Sequence, residues 1–84
     1  MHDEPSLRRD VVLPDLGVGL TILTVWLVKT GERVAAGEPV VEVMTGPATV
    51  DLPSPVDGIV VEKHAAEGER LTVGQRLASV ACES

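Results

Sequence analysis

The stretch Thr30-Gly31-Glu32-Arg33-Val34-Ala35-Ala36-Gly37-Glu38-Pro39-Val40-Val41-Glu42-Val43 returns as Glu67-Gly68-Glu69-Arg70-Leu71-Thr72-Val73-Gly74-Gln75-Arg76-Leu77-Ala78-Ser79-Val80. The offset is 37 residues throughout, and Gly31/Gly68, Glu32/Glu69, Arg33/Arg70, Gly37/Gly74 and Val43/Val80 are identical. Glycines at these places mark chain reversals that need a positive φ or no Cβ. The apolar pairs Val34/Leu71 and Val40/Leu77 mark positions that face a core. Two such copies, neither able to bury its apolar face alone, are expected to pack together about a pseudo-twofold axis.

Outward from the repeat, the rest of the chain reads as short strands between turns. Asp10–Leu13 is a strand stopped by Pro14, and residues 15–20 form a glycine-bearing loop. Strands are expected at 21–28, 40–44, 49–52, 58–63 and 77–81, with Val34 in a short bridge. Thr45-Gly46-Pro47-Ala48 is a tight turn, and Pro53-Ser54-Pro55 is a break. Composition agrees. Of 84 residues fifteen are valine, eight glycine and six proline, and Trp26 is the single aromatic. Small β-branched side chains suit a thin sandwich of short strands. The fold class is therefore all-β. Residues 1–9, polar and without periodicity, read as a mobile N-terminal arm, and 10–82 as one domain.

Other classes are disfavoured. Seven Lys+Arg against thirteen Asp+Glu give a net charge of −6, the wrong sign for nucleic acid or an anionic membrane. Cys82 has no intramolecular partner, and His2, His64 and Cys82 match no zinc spacing, so no metal is expected. No apolar run is long enough to span a bilayer, and the acidic start lacks a signal peptide's apolar region. The chain reads as soluble and cytoplasmic. No nucleophile–base pair, phosphate loop or paired-carboxylate pattern is present, so an enzyme is not expected.

The sequence resembles the biotinyl/lipoyl attachment domain, most closely the lipoyl domain of 2-oxo acid dehydrogenase acyltransferase components. The resemblance runs through Leu13-Pro14-Asp15-Leu16-Gly17-Val18-Gly19-Leu20, Val25-Trp26-Leu27-Val28-Lys29-Thr30-Gly31-Glu32-Arg33-Val34, Pro39–Thr45, Ala48–Val50 and Pro53-Ser54-Pro55-Val56-Asp57-Gly58-Ile59-Val60. It implies a flattened barrel-sandwich of two four-stranded antiparallel sheets with quasi-twofold symmetry. In that family a lysine at the tip of the central hairpin carries lipoate or biotin, in a turn that usually reads Thr-Asp-Lys-Ala. Here the turn is Thr45-Gly46-Pro47-Ala48, and the resemblance puts Pro47 at the attachment position. Proline has no amine, so no cofactor is expected. Lys29 and Lys63, the chain's two lysines, lie away from the turn. Gly46 stands where the family usually has Asp, and Val18 where the glycine loop usually has Glu.

The expected function is a lipoyl-like module without its arm, acting as a structural or protein-binding domain. Its contact candidates are Gly17, Val18, Gly19, Met44, Thr45, Gly46, Pro47, Ala48 and Thr49, and its candidate partners are 2-oxo acid dehydrogenase complex components. The alternative is a swinging-arm carrier domain whose lysine is missing from this sequence. An adaptor domain of the membrane-fusion type is a third reading, opposed by the absence of heptads. Because proline at 47 disfavours a right-handed helical conformation at 46, the turn is expected to be other than type I. Trp26 is read as core packing, Cys82 as a partly buried thiol, and His64 as solvent-exposed. The acids Glu38, Glu42, Asp51, Asp57, Glu62, Glu67 and Glu69 are read as a solvated surface.

Overall fold

A computed structural model describes residues 7–17 and 19–83. It contains eight strands: β1 (Arg8–Val12), β2 (Thr21–Trp26), β3 (Arg33–Val34), β4 (Pro39–Thr45), β5 (Ala48–Pro53), β6 (Gly58–Lys63), β7 (Arg70–Leu71) and β8 (Arg76–Cys82). They form two four-stranded sheets, β1-β8-β6-β3 and β5-β4-β2-β7. All the pairings are antiparallel. The all-β sandwich expected from the sequence is what the chain adopts.

The repeat is a symmetry of the hydrogen bonds. Exchanging β1 with β5, β8 with β4, β6 with β2 and β3 with β7 converts one sheet order into the other. Gly31 donates to the carbonyl of Val60 and Val60 to that of Glu32, as Gly68 donates to Leu23 and Leu23 to Glu69. Gly37 donates to Ser54 and Ser54 to Glu38, as Gly74 donates to Leu13 and Leu13 to Gln75. The four repeat glycines have φ of +94, +88, +88 and +86°, a region that L side chains enter only at a cost. Leu23 and Val60 are 37 residues apart, but Leu13 and Ser54 are 41 apart. The first half therefore carries a loop four residues longer between Leu13 and Thr21, and this loop breaks the symmetry.

The core lies between the sheets and consists of valine and leucine with Ala78. Leu23, Val41, Val43, Leu77 and Val80 are fully buried. Inward positions on β4 alternate with outward Glu42 and Met44, the period of a sheet wet on one face. Trp26 is half-buried at the margin of this core, not within it, and its indole N–H donates to the carbonyl of Ala65 at 3.0 Å.

Most strand ends fall within one residue of expectation, β7 lies where no strand is expected, and two ends differ by two residues. β1 begins at Arg8, inside the segment read as a mobile arm, because Arg8 and Arg9 pair with Ala81 and Val80. Both are exposed, so the edge strand carries no apolar alternation there. β2 ends at Trp26 rather than Val28, although Val28 is buried.

Candidate functional site

The β4–β5 hairpin closes through two residues, Gly46 and Pro47, with Thr45 paired to Ala48. Gly46 has φ +59°, and among the described residues no non-glycine has positive φ. A positive φ at the first central residue alone is the pattern of a type II′ turn, whose twist matches that of the strands it joins. The expectation of a turn other than type I therefore holds. Pro47 supplies the negative φ of the second position from its ring.

The register places the glycine loop beside this tip. Thr21 pairs with Thr45 and Ile22 with Met44, so residues 19–20 enter β2 alongside the hairpin. Of the residues singled out from the sequence, Gly17, Gly19, Met44, Gly46, Pro47, Ala48 and Thr49 are exposed. Thr45 is buried, and its Oγ1 has no hydrogen-bond partner among the described residues. Val18 lies outside the described residues. The N–H of Gly17 donates to Asp15 Oδ1 at 2.9 Å, which folds the loop back on itself.

Sequence reasoning placed Met44 and the loop through Leu20 on this surface but missed Val73. Leu20, Met44 and Val73 are exposed by 49, 43 and 59%. Leu71 pairs with Thr21, which brings Val73 toward the same loop. The symmetry supplies an internal comparison: the counterparts of Met44 and Val73, 37 residues away, are Ala81 and Ala36. Large exposed apolar side chains thus stand at Met44 and Val73 where the other copy of the repeat has alanine. That inequality within the repeat was the available signal.

The charged residues have specific roles. Glu32 and Glu69 accept from the N–H groups of Lys29 and Ala66, both at 3.0 Å. Glu38 and Gln75 do the same for Ala35 and Thr72. Asp57 accepts from Ala36 at 2.7 Å, and Glu67 from Trp26 at 3.0 Å. Glu38, Asp57, Glu67 and Glu69, read from sequence as solvated surface, thus hold backbone N–H groups. His64 is half-buried, not solvent-exposed: Nε2 lies 2.9 Å from Ser79 Oγ, which donates to Asp10 Oδ1 at 2.9 Å. Ser79 is buried and its proton is directed to a carboxylate, so the trio ties β1 to β8 and the end of β6 and is no nucleophile–base pair. Cys82 is a half-buried free thiol. Among the described residues no group of three or more His, Cys, Asp or Glu could hold a metal, and no helix is long and apolar enough to cross a membrane.

The sequence model of a family described as "Biotin-requiring enzyme", the biotin/lipoyl family, matches residues 9–80. The chain belongs to this family. Curated relatives of the lipoyl-type domain include the lipoamide acyltransferase component of a branched-chain alpha-keto acid dehydrogenase complex from Pseudomonas putida, 39% identical over 75 residues. A succinyltransferase component of a 2-oxoglutarate dehydrogenase complex from Bartonella vinsonii is 42% identical over 76 residues. These matches take in 87 and 88% of the chain and 18% of each relative, so the lipoyl-type domain spans under a fifth of their length. The lipoyl domain of the 2-oxoglutarate dehydrogenase complex from Azotobacter vinelandii has the same fold. The TM-score is 0.70 at 23% identity, covering 84% of this chain and 92% of that one.

The tip of this lipoyl-type domain does not fit a lipoyl or biotinyl amide, since neither Gly46 nor Pro47 has a side-chain amine. Lys63 is on β6 in the other sheet, its ammonium 5.0 Å from the centroid of Trp26. Lys29 is exposed beyond the end of β2, in the turn locked by Glu32.

Proposed function

We propose that this chain is a lipoyl-type domain without a prosthetic arm, serving as a non-catalytic structural or protein-binding module. The observation that carries the reading is the Gly46-Pro47 turn at the hairpin tip, where the family resemblance calls for lysine. No amide can form there, and the two lysines present lie elsewhere. The exposed side chains of Leu20, Met44 and Val73, with Pro47, give this end an apolar contact surface. The names of the relatives make components of 2-oxo acid dehydrogenase complexes the partners to try first.

The intact mass after co-expression with lipoate and biotin ligases, both acids supplied, tests the reading. An unmodified mass is expected. A mass raised by one lipoyl or biotinyl group would mean that Lys29 or Lys63 accepts the arm, and the carrier function would stand instead. Binding of the domain to the purified components, lost in Met44→Glu, tests the contact surface.

A further inference from the structure

Among the described residues, sheet β5-β4-β2-β7 has β5 as an unpaired edge. In a two-residue hairpin the closing pair is hydrogen-bonded and the pairs alternate from there. Thr45–Ala48, Val43–Val50 and Val41–Leu52 thus exchange bonds, whereas Thr49 and Asp51 turn their N–H and C=O groups outward. Both residues are exposed, and among the described residues neither backbone has a partner. Pro53 has no N–H and ends the edge.

Asp51 lies directly across from Glu42. Like charges opposed on one face destabilise a sheet. Among the described residues these are the two carboxylates with no hydrogen-bond or ion-pair partner. The others lock turns, join the Ser79 trio, or pair with Arg8, Arg33 and Arg76. On the inner side of the same edge lies an open groove of about 300 Å³, mostly apolar, between Val11, Val12 and Pro14 and Leu52, Pro53 and Pro55, with Asp10 at its wall. Its size, at the lower limit of ligand pockets, suits a single side chain.

We infer that the β5 edge docks an extended partner segment in which basic and apolar residues alternate. The segment would add a fifth strand through the outward groups of Thr49 and Asp51. Its outward side chain beside Asp51 is then a Lys or Arg, which relieves the repulsion between Asp51 and Glu42. Its next side chain points inward, toward Leu52 and the groove, and is apolar. A second copy of this chain is the wrong occupant, since edge-to-edge pairing would set Asp51 near Asp51 between partners of charge −6. The inference concerns a surface other than the hairpin tip and stands apart from the proposed function.

The test titrates the ¹⁵N-labelled domain with the blocked peptide Thr-Lys-Val-Lys-Val-Lys-Thr, with a peptide carrying Glu for Lys as control. Saturable shifts are expected at the amides of Thr49, Asp51, Val11 and Val12, with binding that weakens as salt is added. Asp51→Asn should weaken binding about fivefold, the upper range for an exposed ion pair. Val12→Glu, at an exposed groove position, should weaken it separately. Met44→Glu should leave it unchanged, so failure here is distinguishable from failure of the tip reading. No saturable shift at millimolar peptide, equal binding of the Glu peptide, or shifts centred on Leu20 and Met44 would each overturn the inference.

Discussion

Gly46 and Pro47 are expected to be energetically coupled, and a double-mutant cycle measures the coupling. An added Cβ at Gly46 meets nothing within 4 Å, so replacing this glycine costs only what the backbone imposes. At φ +59° an L residue loses about 1–2 kcal/mol. The lower entropy of the unfolded chain returns about 0.4–1 kcal/mol. Gly46→Asp should therefore destabilise the domain by about 1 kcal/mol, or 4–8 °C in Tm for a domain of this size. The introduced aspartate cannot escape by moving to a type I turn, because Pro47 disfavours right-handed helical angles at the residue before it. In the Pro47→Lys background that route opens and the cost should vanish, leaving a coupling of about 1 kcal/mol. Urea unfolding followed by Trp26 fluorescence suits the measurement, since Trp26 is the single tryptophan and is half-buried with its N–H bonded. The Gly46→Asp, Pro47→Lys double variant should also accept lipoate from its ligase more fully than Pro47→Lys alone. Additivity within about 0.3 kcal/mol would refute the idea that the two residues hold the turn jointly.

Gly58→Ala should be far more damaging than any change at the tip. A Cβ there would lie 2.0 Å from the backbone oxygen of Ala81, so β6 and β8 must separate. A loss of about 3 kcal/mol or more in urea unfolding is expected. Leu23→Ala removes a fully buried side chain and should cost about 2–5 kcal/mol in the same assay. Leu20→Ala, at an exposed site, should cost under about 0.5 kcal/mol. Glu32→Ala and Glu69→Ala remove symmetry-related turn locks and should cost about 0.5–1.5 kcal/mol each, with Glu69→Ala the costlier because Glu69 Oε2 also accepts from Gln75 Nε2 at 3.0 Å. Equal losses in urea unfolding would show that the Gln75 bond contributes nothing.

Much of this architecture is legible in the chain as written. The 37-residue repeat specifies the twofold, because identical glycines demand the same positive-φ reversals and identical glutamates lock the same turns. The valine-rich alternation specifies two thin sheets. Gly46-Pro47 restricts the turn locally, since a proline disfavours a right-handed helical neighbour before it. Other features depend on which residues distant segments bring together. Arg8 and Arg9 became a strand only because β8 offers an edge to pair with, and edge positions facing water need no apolar pattern. His64 gained its partners from β8 and β1, 15 residues along the chain and beyond. Leu20, Met44 and Val73 form one end because β2 is flanked by β4 and β7. Glu42 and Asp51 face each other through hairpin register, and the groove beside them exists only where β5 comes up against β1. Local chemistry dictates each turn and the period of each strand. Long-range pairing alone determines which side chains share a surface, and that sharing gives the tip and the β5 edge their chemistry.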